Sequence, residues 1–512
     1  MPHPTLSPTL QQALHQSADH VRNTPAFELL DAAPERHKSL SWHQSGLVLD
    51  MCREKIDERA WDLLLQIPDQ IELKQRIQQL LSGGIVNQSE QRAAFHPACR
   101  DQEGSGQLQP AAEMMRVLTA QNKKMLDWVG TFRAGRGGFD TLVNLGIGGS
   151  DLGNRVIAEA FAGNQRVFFA SNLQDLQRLL PNLQLERTVF VLTSKSFSSQ
   201  EVMESGLYVR QLLERQEGLD WRDHLIAITA NVSRAQAFGC KDAVIFEMPA
   251  EVGGRYSIWS SAGLPAAAVL GESDYLEFSI GARDADRHLL VEPWRKNLIV
   301  SWALKDIWNQ LFLGASTRAF FTYPLELCPL VGWRAQLEME SLGKSLDQDE
   351  NAVAYSGPIV WGGWGPNAQH SLFQMLYQGK HLVPVEFLTL ASSTESSINQ
   401  HFLAQMQALS GADRRVATNT SERPFQKAQT IPVTALVLEE LTPRNLGFLM
   451  GCLEHRTFVE ACILGINAFD QWGVEKGKQQ FSAQQDASWY EGADASTRKL
   501  VEILTHQNQP KQ

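Results

Sequence analysis

The run Leu142-Val143-Asn144-Leu145 passes directly into Gly146-Ile147-Gly148-Gly149-Ser150 and then into a helix-like stretch from Asp151. No other feature limits the fold as much. A short apolar run bounded by a glycine turn predicts a strand covered on both faces. Similar runs follow at residues 167–170, 189–193, 225–229 and 244–246, with helix-like segments between them. After about residue 290 the pattern recurs, with strands predicted at 319–323, 359–361, 382–387 and 435–438, and helices at 369–378 and 445–464. Strands alternating with helices predict parallel sheets with helices on both faces, in two α/β units. The two units show no clear sequence repeat. With 512 residues, the chain is too long for a single core.

Residues 1–110 read as a mostly polar helical region, with helical apolar spacing through Trp61, Leu64 and Leu65. Two α/β domains are expected at 111–280 and 281–470, followed by a segment and helical tail at 471–512. Lys plus Arg is 46 and Asp plus Glu is 57, a formal charge of −11, which argues against a general nucleic-acid binder. No apolar run is long enough for a membrane helix, and the N-terminus lacks the pattern of a signal peptide. The six cysteines are scattered without a CxxC pair, and no cluster has metal-ligand spacing. A cytoplasmic chain without metal or cofactor is expected.

Six segments could carry chemistry. The loop 146–153, GIGGSDLG, offers free N–H groups between a strand and a helix, suited to an anion or sugar hydroxyls. It is not a dinucleotide fingerprint, which would need glycine at Asp151 and an acid after the second strand. The turn Ser194-Lys195-Ser196-Phe197-Ser198-Ser199 sets four hydroxyls and a lysine at a strand end. It reads as helix capping or, from its place at the carboxyl end of a buried strand, as an anion site. Gly253-Gly254-Arg255 lets the backbone approach closely beside a permanent cation, suited to a developing oxyanion. Glu340 is a candidate base and His370 a candidate proton carrier. The segment 469–478 joins Gln471 to Lys478. Each alone also fits a turn, a capped helix or a solvated surface.

Taken in order, GIGGSDLG, GGRYSIWSSAGL, MESLGK, NAQHS and FDQWGVEKGK, with residues 86–100 (VNQSEQRAAFHPACR), resemble the glucose-6-phosphate isomerase (phosphoglucose isomerase) family. The resemblance runs from about residue 86 to 478. It implies two sugar-isomerase (SIS-type) α/β/α sandwich domains. It also implies a homodimer with its active site at the subunit interface, and interconversion of glucose 6-phosphate and fructose 6-phosphate through a cis-enediol. Carried over by motif, Glu340 is the base, and Arg255 the partner of the enediol. His370 and Lys478 serve ring opening and hydroxyl proton transfers. Ser194, Lys195, Ser196 and Ser199 bind the phosphate, with Phe197 and Ser198 completing that loop. Gly149, Ser150, Gly254 and Gln471 line the sugar site, and Glu201 orients His370. Departures are the serines of the phosphate loop where threonines are usual, Leu342 for asparagine, Pro366 for threonine, and Gly363-Trp364 for Glu-Pro. An isomerase of another hexose 6-phosphate, such as mannose 6-phosphate, and a non-catalytic sugar-phosphate regulator are the alternative readings.

Overall fold

The computed structural model describes residues 6–101, 112–163, 166–393, 396–411, 430–483 and 487–506. Two compact units are present, Met1–Phe469 and Asp470–Gln512. The first contains strands β1 (Ser41–Gln44), β2 (Leu47–Arg53), β3 (Ile85–Asn87), β4 (Arg92–Ala93), β5 (Thr141–Gly146), β6 (Arg166–Ala170), β7 (Thr188–Thr193), β8 (Leu225–Thr229), β9 (Ile245–Glu247), β10 (Thr317–Thr322), β11 (Ile359–Trp364), β12 (Val385–Leu390) and β13 (Val433–Leu438). One sheet has the order β6-β5-β7-β8-β9, with every pair parallel. A second has the order β1-β2-β13-β12-β10-β11. Its β11, β10, β12 and β13 are parallel, as the alternating pattern predicts.

Its other edge departs from the sequence reading. Within the region expected to be helical, β1 and β2 form a hairpin, and β2 pairs antiparallel with β13. Ser45 and Gly46 turn with φ of 49° and 74°, the geometry of a tight hairpin loop. Leu47, Leu49 and Met51 then alternate into the core. Two other boundaries move. The strand expected at 382–387 starts only at Val385, after Pro384, which has no N–H to give a ladder. The helix expected at 369–378 starts at Phe373, after a turn through His370.

Strand faces divide the core. Val143 and Leu145 pack with Leu176, Val209 and Leu213 of the outer helices, whereas Leu142, Val191 and Ile228 face inward. On the second sheet, Ala319 and Phe321 pack outward with Phe373 and Phe402, and Phe320 and Leu436 face inward. The two inward faces share one apolar core, through which runs the helix Pro443–Leu464, buried at every position from Leu446 on. It crosses the helix Glu272–Val291 at a distance only glycine permits. A Cβ on Gly281 would lie 1.9 Å from the Arg444 carbonyl oxygen, and one on Gly447 2.0 Å from that of Phe278.

The second unit contains the helices Trp472–Ala483, Ala487–Gly492 and Ala495–His506. The last is capped by Asp494, whose carboxylate accepts from the N–H groups of Ser496 and Thr497 at 2.9 and 3.1 Å.

Candidate active site

The loop after β5 is built for close approach. Asn144 donates to the Ser150 carbonyl at 3.1 Å and accepts from the Thr193 hydroxyl at 2.9 Å, so the ends of β5 and β7 fix the turn together. A Cβ on Gly149 would sit 2.1 Å from the carbonyl carbon of Gly254. The two glycine segments therefore touch, and the Ser257 hydroxyl donates across them to the Gly149 carbonyl at 3.2 Å.

Arg255 follows directly. Its Nε donates to Ser341 Oγ at 2.7 Å, its Nη1 to Glu340 Oε1 at 2.8 Å, and its Nη2 to the Ala468 carbonyl. Glu340 stands in the last turn of the helix Pro329–Leu342, with its second oxygen accepting from Gln336 Nε2 at 3.0 Å. Only 1% of the Arg255 side chain is exposed, against 16% of Glu340. The guanidinium is fixed from behind while the carboxylate keeps an open side. The Gly146–Ser150 turn borders the same place, since a Cβ on Gly148 would meet Gln336 Nε2 at 3.1 Å.

The serine turn leads into the helix Gln200–Glu214. Ser194 and Ser199 hydroxyls lie 3.0 Å apart, and those of Ser196 and Ser198 2.6 Å apart. Phe197 takes a φ of 49°, with its ring buried 5.9 Å from that of Phe238. Lys195 Nζ donates to the Val252 carbonyl at 3.1 Å, which ties this turn to the strand-end segment leading into Gly253 and Gly254. Burial draws the Lys195 pKa below its ordinary value, and the neighbouring Glu90 works against that shift. Arg234 donates to the Ser196 carbonyl at 3.1 Å. With free N–H groups at the start of a 15-residue helix, hydroxyls and Lys195, the turn offers an anion a complete set of donors.

Four other expected site residues are His370, Glu201, Gln471 and Lys478. His370 and Glu201 are both exposed, and no side-chain hydrogen bond joins them among the described residues. Gln471 and Lys478 belong to the second unit. Gln471 precedes the helix Trp472–Ala483, its carbonyl accepting from Val474 N at 3.0 Å, and Lys478 lies within that helix.

Comparison with known proteins gives the family. A profile described as phosphoglucose isomerase matches residues 50–501. Glucose-6-phosphate isomerase 1 of Chromohalobacter salexigens is 35% identical over 494 residues, covering 92% of this chain and 90% of the relative. A glucose-6-phosphate isomerase of Pseudomonas fluorescens is 34% identical over 513 residues, covering 93% of each. The chain belongs to the phosphoglucose isomerase family. A crystal structure of a glucose-6-phosphate isomerase from Chlamydia trachomatis matches with a TM-score of 0.86 at 26% identity, covering 98% of this chain and 100% of that one.

Two departures from the family pattern now have a place. Leu342 is fully buried and packs on Gly357, where an added Cβ would meet Leu342 Cβ at 2.3 Å. It fills core rather than lining the site. Pro366 falls in the first turn of the helix Gly365–Ala368, where a missing N–H costs nothing.

The sequence reading missed Gln336, Ser341 and Tyr256, whose hydroxyl lies 2.9 Å from Ser341 Oγ. A signal existed for Gln336, because it sits four residues before Glu340 on one helix face. Behind Tyr256, the buried His96 ring lies 4.6 Å from the tyrosine ring. Burial, then the charges of Arg100, His455 and Arg255, hold its imidazole well below 6.5. The unfolded chain therefore binds a proton below about pH 6.5 that the folded chain refuses, and this contribution to stability is lost as pH falls. Between pH 7.5 and 5.5, wild type should lose stability against His96→Phe by up to about 1.4 kcal/mol per pH unit below 6.5. Urea unfolding of both proteins at the two pH values checks it; parallel pH responses contradict it.

Proposed function

We propose that this chain interconverts glucose 6-phosphate and fructose 6-phosphate. As a member of its family it is an aldose–ketose isomerase. The observation that carries the substrate assignment is the Arg255–Glu340 pair, set against the touching Gly149 and Gly254 loops and tied through Val252 to a donor-rich serine turn. The serine turn takes the 6-phosphate, and binding energy from that remote group holds the reacting end in place. Glu340 removes the proton from C2 of the open-chain aldose and returns it to C1. Charge that develops on the enediolate oxygens falls to Arg255, which cannot lose its own. Because a proton moves and no hydride does, turnover should need no nicotinamide.

His370 and Lys478 serve ring opening in this reading. The exposure of His370 supports a homodimer in which the partner subunit's His370 completes the site beside Glu201. The burial of Leu342 removes one of the two observations that kept a different hexose phosphate open, the other being the serines of the phosphate loop. Cytoplasmic residence is supported by six free cysteines, five of them buried. No helix among the described residues is long and apolar enough to cross a membrane.

The test is conversion of fructose 6-phosphate to glucose 6-phosphate by the purified protein, read by a coupled dehydrogenase with EDTA present. Rapid turnover is expected. No turnover by folded protein would overturn the assignment.

A further inference from the structure

Residues 86–100 take no part in the chemistry described so far, yet they reach the place where Arg255 is fixed. Asn467 Nδ2 donates to Asn87 Oδ1 at 2.8 Å and to Ser89 Oγ at 2.9 Å. Its Oδ1 accepts from the N–H of Phe469 at 3.0 Å. Asn87 is itself oriented, since its amide donates to Glu90 at 2.8 Å. Both asparagines are buried. Between Asn467 and Phe469 stands Ala468, whose carbonyl accepts from Arg255 Nη2. The Phe469 ring, 5.5 Å from that of Tyr256 and 6.0 Å from that of Phe458, closes the turn on its other side.

We propose that Asn467 is a positioning residue for isomerisation: anchored by Asn87 and Ser89, it fixes the Ala468 carbonyl and so sets the plane of the Arg255 guanidinium. Ser341, Glu340 and Ala468 each accept from a different nitrogen of Arg255. Glu340 must turn to the substrate and take its proton, so its hold on Nη1 cannot last through the reaction. Ser341 on Nε and Ala468 on Nη2 still hold the group when Glu340 turns away. With Ala468 displaced, Nη2 loses a fixed acceptor, the guanidinium plane shifts about its Cδ–Nε bond, and Nη1 loses its aim at the enediolate. Misplacement of such a donor costs rate far more than it costs ground-state binding.

This inference rests on the reading of Arg255 as the enediolate partner. Asn467→Ala should lower kcat/KM for fructose 6-phosphate roughly 10- to 100-fold, mostly through kcat. Two inhibitors separate positioning from a general structural role. Affinity for 5-phospho-D-arabinonohydroxamate, which carries enediolate-like charge, should fall by a similar factor. Affinity for sorbitol 6-phosphate, uncharged at the reacting end, should stay within about threefold, since it makes no demand on Arg255. Equal loss for both compounds, or no loss for either, overturns the proposal. Should Asn467→Ala not fold, Asn87→Ala keeps the bond to Phe469 and should give the same split at smaller size. Arg255→Lys is measured alongside. If that variant also treats the two compounds alike, the enediolate reading of Arg255 fails. If it loses the hydroxamate selectively and the asparagine variants do not, only the role of Asn467 fails.

Discussion

Glu340→Gln should lower kcat roughly 10³- to 10⁴-fold, the scale of a lost general base, while 6-phosphate binding stays near wild type. The substitution is mild by geometry. A glutamine oxygen can still accept from Arg255 Nη1, and Gln336, now 3.0 Å from Oε2, can turn its own amide to accept instead of donate. Packing and hydrogen bonds survive; the carboxylate's proton affinity and its charge are removed, and with the charge goes the ion pair to Arg255. The variant should also stop exchanging the C1 and C2 protons of bound sugar with solvent deuterium, which reads the proton transfer itself. Activity within tenfold of wild type would remove Glu340 from the mechanism. The same variant tests the proposal that two subunits share each site. Subunit exchange between inactive Glu340→Gln and His370→Ala proteins should restore activity, because one site of each mixed dimer then holds both native groups. If both residues served one site from a single subunit, mixing would restore nothing.

The parallel strands were legible in the sequence because their signal is local. Residues 142–145, 189–193 and 225–229 are apolar except for Asn144, Thr193 and Thr229, and every position is buried, as a strand covered on both faces requires. The antiparallel strand Leu47–Arg53, beside the edge strand, carried a signal too, a Ser45-Gly46 turn followed by alternating Leu47, Leu49 and Met51. Helix-like spacing farther along, around Trp61 and Leu64, masked it. At the site, Glu340 and Arg255 were legible as motif residues, and the fold brings them to 2.8 Å across 85 positions of chain. Ser341, Asn467 and Ala468 were not legible in their roles. A backbone carbonyl has no sequence signature, and the value of an amide or hydroxyl depends on partners hundreds of residues away.

Beneath Glu340 lies a feature that no sequence pattern announces, and it sets the second large expectation. Lys305, Arg318, Arg334 and Arg456 interleave with Asp306, Glu338, Glu386 and Glu460 in the buried core. Glu338 and Arg334 stand about one and two turns before the end of the helix that carries Glu340. Glu338 meets Arg334 directly, Arg318 Nη2 at 2.6 Å and Arg456 Nη2 at 2.8 Å. Burial alone would push its carboxyl pKa up. Arg318, then Arg334 and Arg456, outweigh burial and hold it well below the ordinary range. Glu54 also faces Lys305 in this cluster, and Glu338 is the carboxylate that Arg318, Arg334 and Arg456 share, so Glu338→Ala leaves buried positive charge without its nearest partner. Breaking one member of such a group costs about 3–5 kcal/mol, and the urea midpoint should fall by roughly 1 M. A shift under about 0.2 M would mean that water or a rearranged partner compensates the charge. Desolvation makes charge pairs a poor source of stability compared with apolar packing. The network is better understood through direction: each pairing specifies one azimuth and one depth for the helix. A core of leucines would let that helix settle in several registers, whereas Glu338, held between three arginines, permits one. Removing Arg334 and Glu338 together, as Arg334→Met with Glu338→Leu, should therefore cost less stability than Glu338→Ala alone. It should still lower kcat, because Glu340 would then ride on a helix no longer fixed in depth.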